Sequence, residues 1–437
     1  MSSEWITVDE LLRCGDLQLV QDGNHGGSYP KVEEFVSDGV PLITGACLID
    51  GGVDYSKAGF ISPGRAAQLR VGLAKPGDVL LTHKGTMGKT AIVPQSRYPL
   101  TILNPQITLY RVSSTGRVES RYLKFFFDSK LFQDLLVQIS ATSTINTLSI
   151  KEQKKLEIPV PPEFVQRNIV GILGALDDRI TLLRETNATL ESIAQALFKS
   201  WFVDFDPVRA KMEGRAPEGM DEATAALFSD SFEETELGLV PRGWHCSSIG
   251  KSFVLTMGQS PPGDTYNEVG DGLPFYQGRT DFGFRFPAQR VFCTSPSRFA
   301  EPGDTLVSVR APVGDVNMAL ERCSLGRGVA GVRNPEGFNS FVFYTLRMLK
   351  PKFELYDSEG TVFGSINKKD FQALPVINAS NDVLQAFDAL ASALDNKIVS
   401  NEEQIRSLAS LRDTLLPRLI SGRLRLPEAE LEMTAGT

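Results

Sequence analysis

A chain that contains itself twice has few ways to fold. Here ALDDRI at 175–180 returns as ALDNKI at 393–398, an offset of 218. KPGDVLLTHKGTMGKTAIV (75–93) aligns with EPGDTLVSVRAPVGDVNMA (301–319) at an offset of 226. That alignment sets Gly77, Asp78, Leu80, Lys84 and Gly88 on Gly303, Asp304, Leu306, Arg310 and Gly314. GVPLITG (39–45) meets GLPFYQG (272–278), SIKEQKKLEIPV (149–160) meets SINKKDFQALPV (365–376), and EWITV (4–8) pairs loosely with GWHCS (243–247). Order is kept throughout, and the offsets drift as loop insertions make them drift. A collinear series of this kind is a duplication.

Each half has two textures. First come Gly- and Pro-rich stretches holding β-branched runs such as DVLLT, QITLYRV, DTLVSVR and GVAGVRN, which read as short strands. YLKFFFDSKLFQDLLVQI (122–139) and SFVFYTLRML (340–349) have helical spacing instead. Pro159, Pro161 and Pro162 stop the first such domain, and Pro375 stops the second. A long helix follows each. In the first, Ile169, Leu173, Leu176, Ile180, Leu183, Asn187, Leu190, Ala194, Leu197 and Trp201 step by 4 and 3 without a break. Phe387, Ala391, Leu394, Ile398, Asn401, Ile405, Leu408, Arg412, Leu415 and Leu419 do the same in the second. That is a coiled-coil stripe, which Pro417 is expected to bend or end near Leu415.

The polar interruptions choose the direction of pairing. Parallel helices in repeat register would set Asn187 against Ile405 and Asn401 against Leu183, burying two unpaired amides at about 1–3 kcal/mol each. Antiparallel helices bring Asn187 onto Asn401, and Ala194 and Leu197 onto Leu394 and Ala391. Arg412 then falls on Leu176, where its stem packs and its head reaches water.

The fold class expected is α+β with a pseudo-two-fold internal repeat. Domain 1 spans 1–160 and its helix 161–203. An acidic linker covers 204–241, domain 2 covers 242–378, its helix 379–425, and a tail 426–437.

Composition narrows the function classes. The formal net charge is −8, but by segment it is +1 over 1–160, −8 over 161–241, +2 over 242–378 and −3 over 379–437. The acid lies outside the two domains, and a surface field depends on local charge. Five scattered cysteines and three histidines make neither a disulfide framework nor a zinc spacing. The start has no signal-peptide pattern, and no apolar run approaches the roughly 20 residues of a membrane span; a reducing cytoplasm is expected.

The near-motifs do not amount to a catalyst. HKGTMGKT (83–90) has His83 where a phosphate-binding loop needs its first glycine, and the repeat copy has lost Lys-Thr. It reads better as a turn holding Lys84 outward, matched by Arg310. NPQI (104–107) lacks the second proline and the aromatic of an amino-methyltransferase motif and reads as a strand entrance. In VDFDP (203–207), Pro207 ends the helix and the acid run to Glu236 is a solvated linker.

This arrangement resembles the specificity subunit of type I restriction-modification systems. The resemblance covers nearly the whole chain. It is carried by ALDDRI and ALDNKI, by LFKSWFVDFDPVRAKMEGRAPEGM (197–220), by IPVPP at the exit of the first domain and by LLPRLISGRLRLP (415–427). It implies two target-recognition domains, each reading half of a split double-stranded DNA site, and a helical spacer. Two methyltransferase subunits carrying S-adenosylmethionine dock there, and a translocating endonuclease subunit joins for cleavage. The chain itself needs no cofactor or metal. A helix pair of about 33 residues spans roughly 50 Å, enough for half-sites one DNA turn apart. The residues expected to meet DNA are Thr44, Lys84, Thr86 and Lys89 in the first half, and Gln277, Arg279 and Arg310 in the second. Asn187 and Asn401 are expected to set the register of the spacer. A methyltransferase fused to recognition domains and a coiled-coil scaffold are the alternatives.

Overall fold

The structure, a computed structural model, describes residues 4–49, 51–142, 147–358 and 364–424. Contacts divide it into two units. One runs to Leu182 and resumes at Gln404; the other is Leu183–Glu403. The long helices, Glu163–Phe202 and Asn381–Ile420, each contribute a segment to both.

In the first unit, a five-stranded sheet runs in the order Phe35–Val36, Gly59–Ile61, Val40–Ile43, Thr101–Leu103, Leu73–Ala74. Val40–Ile43 and Thr101–Leu103 are parallel, with Leu42 opposite Ile102. A four-stranded antiparallel sheet runs Thr90–Ile92, Val79–Thr82, Ile107–Val112, Leu17–Asp22. All four residues of Val79–Thr82 are buried, which is why that strand reads as a continuous apolar run rather than an alternation. Glu4–Thr7 pairs with Glu157–Val160 and closes the domain just before the long helix. The core joins the phenylalanines of helix Ser120–Asp128 to Ile169, Leu173 and Leu176 of the first long helix and to Leu415, Leu416 and Leu419 of the second.

The second unit repeats these two larger sheets strand for strand. Its sheets run Tyr266–Asn267, Phe292–Cys293, Leu273–Tyr276, Cys323–Leu325, Phe299–Ala300 and Val254–Met257, Val329–Arg333, Thr305–Ser308, Val316–Met318. The parallel pair is again the central one, with Phe275 opposite Ser324. His245–Ser248 pairs with Pro375–Asn378 before the second long helix. One salt bridge recurs as well. Asp78 takes both Nε (2.9 Å) and Nη2 (2.6 Å) of Arg111, and Asp304 takes the same atoms of Arg333 at 2.8 and 2.6 Å. Gly77 (φ +90°) and Gly303 (φ +84°) stand before these aspartates in Pro-Gly-Asp turns, a conformation that glycine adopts at least cost.

The two helices are antiparallel in each unit, and the heptad residues form the seam. In the second unit, Asn401 Nδ2 donates to Asn187 Oδ1 at 2.7 Å, and Asn187 Nδ2 donates to Glu402 Oε1 at 2.7 Å. Both asparagines are buried. Asn401→Leu alone leaves the Asn187 carbonyl without its donor, so about 1–3 kcal/mol of stability is lost. The double variant Asn187→Leu/Asn401→Leu recovers most of that loss. A denaturant double-mutant cycle measures the coupling, and additive single losses would contradict it.

Three sequence expectations are corrected. The second helix does not stop near Leu415; it continues through Pro417 to Ile420. The proline removes one ladder bond at a cost of about 3 kcal/mol. Burial of Leu415, Leu416, Leu419 and Ile420 returns about 1.5–3 kcal/mol per side chain, so packing prevails. The stretch 204–241 is not a solvated linker. It folds as helices Asp206–Met212 and Glu222–Ala226 and a hairpin of Phe232–Thr235 with Gly238–Pro241. Phe205, Val208, Phe228 and Val240 are buried, and the Phe205 ring meets Trp244 at 5.7 Å. The acid count hid this apolar set, because the carboxylates face water from the same segment. Finally, the Arg412 head does not go to water: its Nη1 bonds Asp177 Oδ1 at 2.8 Å. The tail 426–437 lies outside the described residues. Among the described residues no helix is long and apolar enough to cross a membrane, and no group of three or more His, Cys, Asp or Glu is placed to hold a metal.

Candidate nucleic-acid interface

In each unit the sequence-predicted DNA residues lie on two turns that a side-chain contact joins. In the first unit, strand Val79–Thr82 leaves its sheet and returns as Thr90–Ile92. Thr82 organises the turn between them. Its Oγ1 donates to Thr86 O (2.6 Å) and accepts from Lys89 N (2.9 Å), while Thr82 O accepts from Gly88 N (2.9 Å). In the second unit, Ser308 Oγ donates to Pro312 O (2.7 Å) and accepts from Asp315 N (2.9 Å), while Ser308 O accepts from Gly314 N (2.9 Å). Gly88 and Gly314 hold φ of +90° and +89°. At the apex, Lys84 forms a lone antiparallel bridge with Thr147, and Arg310 forms one with Ser365. A hydroxyl in the strand thus pins the loop, and the cation beyond it is presented from a fixed backbone.

Two neighbouring turns complete the surface. His83 N donates to Gln106 O, and Val309 N donates to Gly328 O, both at 2.9 Å. Lys89 Nζ bonds Gly45 O at 3.3 Å, linking the turn to the one that follows Thr44. In the second unit the same two loops are linked by an ion pair of Arg279 with Asp315. Thr44 Oγ1 accepts from Ala46 N at 3.3 Å, and Gln277 N donates to Asp281 Oδ2 at 2.9 Å. Lys89 and Arg279 therefore already have partners. Among the described residues, Lys84 and Arg310 have no carboxylate partner, whereas Arg111, Arg117, Arg290, Arg322 and Arg333 each have one.

Under the first turn lies a buried polar network that the sequence reading missed. Thr108 Oγ1 donates to Asp22 Oδ1 (2.6 Å) and accepts from Gln153 Nε2 (2.9 Å). Tyr110 OH donates to Gln153 Oε1 (2.5 Å). His83 Nδ1 lies 2.9 Å from Thr108 Oγ1. The threonine proton is committed to Asp22, so the imidazole donates from Nδ1. Burial pushes the His83 pKa below its ordinary value, against an opposing pull from Asp22 and with help from Lys84. The ring is thus neutral at pH 7. In the second unit Val309 and Ala330 take the places of His83 and Thr108, and both are buried. Polar residues scattered over 22–153 gave no pattern to read in advance.

The repeated ALD motif also has a structural role. Its aspartate captures a cation from the domain beside it. Asp177 Oδ2 is 3.2 Å from Lys124 Nζ. Burial works to discharge Lys124, and Asp128 and Asp177 more than offset it and keep the ammonium charged. Asp395 takes Arg285, together with Tyr344 OH (3.1 Å) and Ser340 Oγ (2.7 Å). Each strand-rich domain is therefore locked to its helix through the motif that first revealed the duplication.

The comparisons agree with this plan. Residues 51–192 match the family model described as the type I restriction modification DNA specificity domain. A putative type I restriction enzyme MjaX specificity subunit of Methanocaldococcus jannaschii is 28% identical over 400 residues, 89% of this chain and 88% of that one. The MjaIX specificity subunit of the same organism is 25% identical over 443 residues, 96% of each chain. The chain is similar along most of its length to type I restriction-modification specificity subunits. The HindI specificity subunit of Haemophilus influenzae is 27% identical over 338 residues, 66% of this chain and 73% of that one. The S subunit from M. genitalium, a solved structure, shares the fold at 17% identity, with a TM-score of 0.51 over 95% of this chain and 96% of that one. The family is the non-catalytic, DNA-recognising part of its systems.

Proposed function

We propose that each unit reads one half of a bipartite double-stranded DNA site through the end that carries Lys84 or Arg310. The antiparallel helices act as the spacer between the two readers, registered by Asn187 and Asn401. Two methyltransferase subunits carrying S-adenosylmethionine dock along it, a translocating endonuclease subunit joins them, and the complex works in the cytoplasm. One observation carries this reading. The same hydroxyl-pinned turn occurs twice, and each copy presents a cation without a carboxylate partner among the described residues. Lys89 and Arg279 brace their turns and lie beside the DNA with Thr44, Thr86 and Gln277. The modest charge fits a protein whose partners share the phosphate contacts.

The test is methylation mapping of the reconstituted complex. Lys84→Ala weakens or relaxes recognition of one half-site only, and Arg310→Ala that of the other. Each loss is about 5–150-fold where the side chain meets a base. Two variants that leave both half-sites unchanged, or that damage both equally, would overturn the assignment.

A further inference from the structure

A second turn in the second unit offers a cation that the sequence reading passed over. Gly326, Arg327 and Gly328 connect strands Cys323–Leu325 and Val329–Arg333. The first unit fills the equivalent connection with Asn104, Pro105 and Gln106. The turn is pressed onto Gln277: a Cβ on Gly328 would stand 2.1 Å from Gln277 O, and one on Gly326 would stand 3.0 Å from Gln277 Cα. Arg327 is thus the one side chain that this tip can carry. It is exposed, next to the Arg310 turn through the Val309–Gly328 bond.

Its guanidinium is oriented but not neutralised. Arg327 Nε donates to Ser260 Oγ at 3.3 Å, and Arg327 N approaches the same oxygen at 3.4 Å. Among the described residues no carboxylate faces it, unlike Arg279, Arg290, Arg322 and Arg333. A hydroxyl holding Nε leaves the two terminal nitrogens free as a fork of fixed direction. A phosphate needs only charge, whereas O6 and N7 of guanine need a fork presented edge-on. On a narrow tip with glycine on both sides, that fork enters a groove ahead of the backbone.

We infer that Arg327 is a specificity-determining residue of the second unit and reads a guanine in its half-site, with Ser260 as its positioning residue. This rests on the DNA-reading function proposed above. The first unit presents a carboxamide at its matching turn, Gln106, whose Oε1 accepts from Asn104 Nδ2 at 3.1 Å. The two half-sites therefore differ at the base that faces this turn.

The experiment reconstitutes the full chain with its methyltransferase subunits and maps methylated sites for wild type, Arg327→Gln, Arg327→Lys and Ser260→Ala, with binding measured at several salt concentrations. Arg327→Gln is expected to lose about 5–150-fold discrimination at one G·C position of the second half-site, with the first half-site unchanged. Arg327→Lys does not restore that discrimination, because it keeps the charge without the fork. Ser260→Ala gives a smaller loss at the same position. Discrimination kept at every position overturns the inference. So does binding that weakens equally for all sequences with a shallower salt dependence, since that marks a phosphate contact. If the wild-type complex itself shows no bipartite site, the DNA-reading function has failed, and the inference fails with it.

Discussion

Asp395→Ala is expected to unfold the second unit at temperatures where the wild type is intact, with a loss of about 3–5 kcal/mol. Arg285 is fully buried, and among the described residues its Nε and Nη1 have no hydrogen-bond partner. What holds the charge is Asp395 on one side, Tyr344 OH at 2.8 Å from Nη2, and the Phe343 ring 3.9 Å below. An aromatic face supplies about 2 kcal/mol to a desolvated cation, well short of the several kcal/mol it costs to bury one. Removing the carboxylate therefore leaves a charge that the fold cannot hold in place. The double variant Arg285→Met/Asp395→Leu is expected to regain most of the loss, because hydrocarbon of similar volume carries no desolvation cost. Thermal and urea unfolding decide the matter: an Asp395→Ala loss below 1 kcal/mol, or a double variant as unstable as the single, would sink this account.

The second large effect falls on the turns. Gly314→Ala should cost about 2–5 kcal/mol, and Gly88→Ala only about 1–2. Both glycines sit near φ +90°, so both substitutions carry the same backbone penalty. The surroundings differ. A Cβ on Gly314 lands 2.3 Å from Phe353 Cβ, and Phe353 is fully buried and cannot yield. A Cβ on Gly88 meets Gln133 Oε1 at 2.4 Å, the far end of a flexible side chain that can turn away at the cost of its bonds to Gly88 O and Phe127 O. Gly314→Ala should also displace Arg310 and weaken reading of the second half-site, while Gly88→Ala leaves most of the first intact. Equal unfolding losses in the two variants would show that the surroundings of the two turns do not differ as described.

Much of this was legible in advance, for physical reasons that are local. A 3.5-residue apolar period can bury only along a seam, so the two helices were readable. The pairing cost of two amides was enough to choose an antiparallel direction. Pro-Gly-Asp turns announce themselves because only certain residues tolerate their dihedral angles. Lys84 and Arg310 were found because the repeat aligns them, not because either stands out alone. Gln106 and Arg327 were passed over, although LNPQI and LGRGV align at an offset of 222. That alignment was the available signal.

What failed to show was whatever depends on a distant partner that neither the repeat nor the heptad period ties to it. The acidic stretch after Phe202 looked like linker because charge was counted and its aromatic residues were not placed against Trp244. Pro417 looked like a helix end because its local cost is visible, while the leucines that outweigh it act through a core assembled elsewhere. The sequence by itself determined that there are two copies of one unit, each with a strand-rich domain, a long helix and a cation-bearing turn, since repeats and periodicities are properties of the chain. Only the tertiary structure decided which cations are neutralised and which stand free. An ion pair depends on separation in space, and Asp395 meets Arg285 across 110 residues that no local pattern connects.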